Sequence, residues 1–264
     1  MTTAQLHQLL SAVEGNDIVG FFLVLARVAP LFTLAPLFSS RQIPSQVRGI
    51  IAIAIAIGLT GVVTHGERLP DQALPLIALF VEQLLVGTAF AFALGTMFAA
   101  LAAAGSFLDT VSGFAYGSLI NPLNGVNSAV ISQIYTFIGT MIFVAIGGDA
   151  WVLRGFARTY TVMPINGAPK LGPLAAGATE VFDALFVSAV EVAGPVMLAL
   201  VITDIAFGLV SRVVPQLNVF AVGLPVKVAV ALLLVAATLP FLGGWLTDQI
   251  TNTLGIALRE LQVA

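Results

Sequence analysis

Eight ionisable residues stand in or beside long apolar runs: Arg27, Glu82, Asp109, Asp183, Glu191, Asp204, Arg212 and Lys227. A charge at the centre of a membrane helix costs about 2.5–3.5 kcal/mol on insertion scales, so most of these must face protein, water or a headgroup. Glu180, Asp183 and Glu191 fall within roughly a quarter-turn of arc on a helix of 3.6 residues per turn. Three readings of that acidic face compete: it lines a hydrated pore, it carries protons, or its helix lies largely outside hydrocarbon. Arg27, Arg212 and Lys227 read as snorkelling groups or structural partners, and the sequence does not say which acid meets which base. Catalytic chemistry is not indicated. There is no Ser/His/Asp grouping, no His/Glu metal spacing and no phosphate-binding glycine motif. His7 and His65 stand far apart and cysteine is absent, which argues against a zinc site, a disulfide framework and thiol chemistry.

The elements that carry these charges are membrane helices. Of the 264 residues, 59% are hydrophobic and 9% charged; an average soluble domain carries roughly 25% charged residues. So few polar side chains leave most of the surface to be covered by lipid or by protein partners. The net charge of −3 does not suggest nucleic acid or another strongly charged partner. Apolar runs occupy Ile18–Phe38, Gly49–Val63, Ala73–Ala104, Ala129–Ile146, Leu174–Val214 and Val219–Leu246. Several approach the ~20 residues that cross a bilayer as a helix. They lack the polar alternation of a membrane barrel; in Ile51–Ile57 the alternation is between large and small apolar groups. The expectation is an all-α chain with six to eight apolar helical segments in one domain, 1–264. Met1–Asp17 has no Lys or Arg, so it does not read as a cleavable signal. Thr247–Ala264 reads as an amphipathic tail, and 149–173 as the longest polar interval.

Punctuation argues against a plain row of lipid-exposed spans. Pro30, Pro36, Pro195, Pro225 and Pro240 sit inside or beside apolar runs, where each removes a backbone donor. The carbonyls they free need neighbouring helices or water-filled cavities. Gly87, Ala91, Gly95, Ala99 and Ala103 recur every four residues, a small-residue stripe that serves either internal helix packing or a subunit interface. Gly147-Gly148 and Gly243-Gly244 lie just before Trp151 and Trp245, and read as helix ends near headgroup level. Arg41, Arg48, Arg68, Arg154, Arg158 and Lys170 do not separate onto alternate loops, so a conventional topology is not expected.

Ordered motifs carry a resemblance. Arg27-Val28-Ala29-Pro30-Leu31-Phe32, then Ala35-Pro36-Leu37-Phe38 and Ile43-Pro44, resemble the opening of the FliR family of flagellar biosynthesis proteins. Glu82, Gly87, Gly105, Asp109, Gly113-Phe114 and Asn121-Pro122 follow that family's order. Pro215-Gln216-Leu217-Asn218-Val219-Phe220 and Gly223-Leu224-Pro225-Val226-Lys227 are the sharpest match. Asp149 and Ala150 follow Gly147-Gly148 where the family usually has a histidine, so no role for a histidine carries over.

The resemblance implies a non-enzymatic, cofactor-free subunit of the type III export gate in the bacterial inner membrane, in the flagellar basal body. Its implied fold is a set of helical hairpins like a FliP–FliQ fusion. Its implied partners are FliP and FliQ homologues, then FlhB and FlhA homologues, with unfolded flagellar subunits as cargo. The segment after the small-residue stripe corresponds to the family's pore plug, about Phe114–Ser128, with Phe114, Tyr116, Leu119, Asn121, Pro122 and Asn127 as candidates. On composition alone that segment reads as a connecting loop. A virulence injectisome subunit keeps the same fold. An ion-coupled transporter is the rival from another class; it predicts an internal repeat, and only Ala29–Phe32 and Ala35–Phe38 echo each other. A membrane-embedded enzyme lacks its catalytic set.

Overall fold

The computed structural model describes residues 3–35, 38, 43–65, 69–70, 72–115, 129–214, 216 and 219–263, with side chains from Asp17 onward apart from 219–220, 260 and 262–263. Among the described residues there are seven helices and no strand: α1 (Thr3–Leu34), α2 (Ser45–Val63), α3 (Ala73–Ser112), α4 (Val130–Ala145), α5 (Gly148–Val162), α6 (Leu171–Val213) and α7 (Val219–Val263). Five include stretches long and apolar enough to cross a membrane, and α4 with α5 forms a sixth, broken candidate. At 1.5 Å per residue, α3, α6 and α7 are each about 60 Å long or more, roughly twice the hydrocarbon core of a bilayer.

Several boundaries differ from the sequence expectation. Helix α3 runs on through the mixed stretch to Ser112. The polar interval after Asp149 is mostly helix α5, and the supposed tail is the last part of α7. Helix continues over 105–112, 149–162 and 247–263 because no proline interrupts those residues, and α5 stops just before Pro164. Gly147, at φ +71, breaks the chain between α4 and α5 as expected. Gly243-Gly244 does not mark an end, since both lie within α7. A glycine inside a helix costs only about 1 kcal/mol, less than the apolar flanks gain by staying hydrogen-bonded in a membrane. Pro30, Pro195, Pro225 and Pro240 are likewise inside helices.

Several threonine hydroxyls bond back to a carbonyl one turn earlier in their own helix. Thr60 Oγ1 donates to the Ala56 carbonyl at 2.6 Å, Thr64 to Thr60 at 2.8 Å and Thr140 to Thr136 at 2.7 Å. Such back-bonding removes the cost of a free polar group in apolar surroundings.

The chain forms two compact units. Unit 1 comprises 1–95, 150–181 and 252–264. In it α2 turns Ala52, Ala56 and Thr60 inward, while Ile53 and Ile57 remain exposed. Thus the large/small alternation resolves into a helix with small residues every fourth position. Gly20 of α1 packs so closely on Thr64 that a Cβ there would meet its methyl group. Phe90 meets Phe156 edge-on at 5.7 Å, and Phe156 meets Tyr160 at 5.8 Å. Unit 2 comprises 96–149 and 182–251, with Phe98 edge-on to Phe143 at 5.3 Å and Leu101, Leu108, Ile131 and Tyr135 fully buried.

Candidate functional site

Arg27 is the first fixed point. Its α1 neighbours Val24, Val28 and Leu31 are buried, and the guanidinium itself is 0% exposed. Nε donates to Gln83 Oε1 at 2.7 Å, and one terminal nitrogen to the Met163 carbonyl at 2.9 Å and to Thr159 Oγ1 at 3.4 Å. Gln83 in turn donates to the Ile165 carbonyl at 2.9 Å. The Tyr160 ring lies 4.2 Å from the guanidinium carbon, a cation–π contact. Arg27 Nη2 and Tyr160 Oη have no hydrogen-bond partner among the described residues, and no carboxylate joins the cluster. Donating from Nε and Nη1, the planar fork links α1 to α3, α5 and the turn after α5, as an ammonium group would not. Sequence reasoning singled out Arg27 and missed Gln83, Thr159 and Tyr160. A buried-type glutamine beside Glu82 in an apolar run was the available signal.

Asp109 is the second. It sits near the end of α3, 3% exposed. Its Oδ1 accepts the Ile131 N–H at 2.8 Å and its Oδ2 the Ser132 N–H at 3.0 Å. The residue preceding α4, Ala129, offers no side-chain cap, so a carboxylate from another helix fills that role at the positive end of the helix dipole. The Asp109 carbonyl accepts the Ala115 N–H at 3.2 Å, just beyond Gly113 at φ +96. One residue therefore fastens both stems of the stretch between α3 and α4. Gly105 permits the approach: a Cβ there would collide with the Ser132 backbone. Of the plug candidates, Phe114 is half-buried in the turn after α3. Tyr116, Leu119, Asn121, Pro122 and Asn127 lie outside the described residues.

Most of the other charges find partners or face outward. Lys227 meets Asp204 at 2.6 Å, bridging α6 and α7. Arg259 donates to both oxygens of Glu180 at 2.8 and 2.7 Å. Trp245 Nε1 donates to Glu191 Oε2 at 3.2 Å. Asp183 and Arg212 are exposed, and Glu82 is half-buried with no ion pair among the described residues. Pro30 is buried within α1, and Pro44 is the exposed N-cap of α2. Gly223 is buried, Pro225 exposed and Gln216 an exposed turn residue. Phe220 is in α7 by its backbone only, and Pro36, Pro215 and Asn218 lie outside the described residues.

The small-residue stripe is not uniformly inward. Gly87 and Ala91 are buried, Gly95 and Ala103 half-buried and Ala99 exposed, because a four-residue repeat drifts around a 3.6-residue helix. A Cβ on Gly87 would run into the Arg27 carbonyl, whereas one on Gly95 would sit 3.5 Å from the Leu34 carbonyl, an ordinary contact. Gly87→Ala is expected to destabilise the chain by about 1–3 kcal/mol through overpacking. Gly95→Ala is expected to be neutral or slightly stabilising through helix propensity. Denaturant titration in detergent, followed by tryptophan fluorescence, distinguishes them; equal effects would refute this account of the stripe.

The sequence model for bacterial export proteins, family 1, matches residues 18–253. Flagellar biosynthetic protein FliR of Escherichia coli is 27% identical over 249 residues, covering 91% of this chain and 93% of its own length. The protein of the same name from Bacillus subtilis is 31% identical over 81% of this chain and 83% of its own. Surface presentation of antigens protein SpaR of Salmonella typhimurium is 28% identical over 87% of this chain and 83% of its own. With the match spanning nearly all of an apolar helical chain, the protein belongs to the bacterial export proteins of family 1, the FliR family.

Proposed function

We propose that this protein is a subunit of the flagellar type III protein export gate, a membrane protein of the flagellar export apparatus that works within a secretion-apparatus complex. The observation that carries the reading is the family match over residues 18–253, with relatives named FliR aligned along most of their length. The SpaR relatives put the homologous injectisome gate as the second reading. The protein acts by assembling a conduit for unfolded subunits, without catalysis. Its seat is the inner membrane, its partners are FliP and FliQ homologues and then FlhB and FlhA homologues, and both units serve as one export-gate domain built like a FliP–FliQ fusion. Broad exposed apolar surface, including Val62, Val213, Leu233 and Phe241, supports a life covered by lipid and neighbouring subunits.

The test is co-purification of the tagged chain with and without its FliP and FliQ homologues, followed by the mass of the detergent-extracted particle. One large complex containing all three is expected. A well-behaved particle of this chain alone, unchanged by co-expression, would refute the assignment and favour solute transport.

Within this reading, 114–128 is the plug, with Phe114, Tyr116, Leu119, Asn121, Pro122 and Asn127 sealing the closed conduit. Deleting Gly117–Asn124 is expected to raise ion conductance through the assembled gate at least tenfold. Conductance at the intact level would remove the plug role from this segment.

A further inference from the structure

Unit 2 is apolar yet strongly acidic. It holds Asp109, Asp149, Asp183, Glu191, Asp204 and Asp248 against only Arg212 and Lys227, a formal charge of −4. Asp109 is satisfied by backbone N–H groups and Asp204 by Lys227. Glu191 is not so compensated. It is exposed at the middle of α6, where a carboxylate facing lipid without a counterion is costly. Its Oε2 takes only the indole N–H of Trp245, and its Oε1 has no partner among the described residues.

Beside it is a surface-open pocket of about 260 Å³ between α6 and α7, lined by Glu191, Val192, Pro195, Thr238, Phe241 and Trp245 among others. Pro195 cannot donate a hydrogen bond to the Glu191 carbonyl four residues earlier, so a second oxygen of the same residue lacks its helical partner. A carboxylate and two aromatic rings together are the chemistry that receives an organic cation. The space exceeds the roughly 150 Å³ that holds a benzene molecule, far more than a bare metal ion fills. Neither cation of unit 2 lines it.

We propose that this cavity receives a lysine or arginine side chain from a neighbouring subunit of the assembly, with Glu191 as its counter-charge. The proposal rests on the export-gate reading above. It makes the α6–α7 face of unit 2 an electrostatically keyed docking surface, where Glu191 selects the basic partner and Trp245 and Phe241 cover the alkyl stem or guanidinium plane.

The chain has no cysteine, so Val192→Cys places a single thiol in the cavity while leaving Glu191 intact. In the co-expressed assembly that thiol is expected to react with a maleimide at least tenfold more slowly than in the chain purified alone. Adding Glu191→Gln should restore fast labelling. Glu191→Lys should lower recovery of the assembly at least tenfold while the chain alone elutes as before. Equal labelling in both states, or full assembly of the Glu191→Lys chain, would overturn the proposal. Protection that persists in Glu191→Gln would assign the cavity to an apolar group, and protection produced by sodium ions in the isolated chain would assign it to a free cation; both overturn it. A chain intact at Glu191 that forms no assembly would refute the export-gate reading itself.

Discussion

Asp109→Ala is expected to cost about 3–6 kcal/mol, since two hydrogen bonds to a charged group are lost at about 1.5–3 kcal/mol each. The structure leaves no substitute. Ala129 carries no capping group, and the Ile131 and Ser132 N–H groups would point into a site closed by the close approach of Gly105. The first turn of α4 should fray, and the stems of the stretch 114–128 should separate. Asp109→Asn is expected to lose about half as much: its amide oxygen keeps one N–H, and its amide nitrogen sets a donor against the other. Denaturant titration in detergent reads the first effect, and ion conductance through the assembled gate reads the second. An Asn variant as damaged as the Ala variant would show that charge, rather than the number of acceptors, holds α4.

Arg27 gives the second large effect, and its direction is less intuitive. Arg27→Lys keeps the charge and loses the fork. A single ammonium cannot span Gln83 Oε1 and the Met163 carbonyl as the guanidinium does, and the cost of burying the cation remains. A loss of about 3–5 kcal/mol is expected, as when a buried charge loses its partner. Arg27→Met fills similar space and removes the buried charge, leaving orphaned acceptors that cost about 1–3 kcal/mol. The apolar variant should therefore be the more stable of the two. The order of the two unfolding midpoints is the measurement; lysine above methionine would mean that the positive charge itself stabilises unit 1.

The sequence made the class of fold plain and hid the clamps. Apolar runs with too little charge to dissolve them dictated membrane helices. Helix ends were less legible because hydropathy tracks solvent rather than hydrogen bonding: α3 continues to Ser112, and α7 carries Gly243-Gly244 without a break. Arg27 and Asp109 stood out as charges in apolar company. Their partners did not, because Gln83, Thr159 and the backbone of Met163 and Ile131 announce nothing until the helices are packed. The pairing of Glu180 with Arg259 and of Asp204 with Lys227 needed the same knowledge. Gly87 and Gly95 looked equivalent in a four-residue repeat, and only the backbone opposite tells them apart.

The Arg27 cluster also has a history in time. During synthesis Arg27 is made 56 residues before Gln83 and 136 residues before Met163. At about 5–20 residues per second, the nascent chain carries this cation without its full set of partners for roughly seven seconds or longer. An isolated α1 bearing that charge enters lipid reluctantly. The expected consequence is a delay in biogenesis: α1 should settle only once α3 and α5 have been made, so a chain stalled before Thr159 should leave α1 extractable from the membrane.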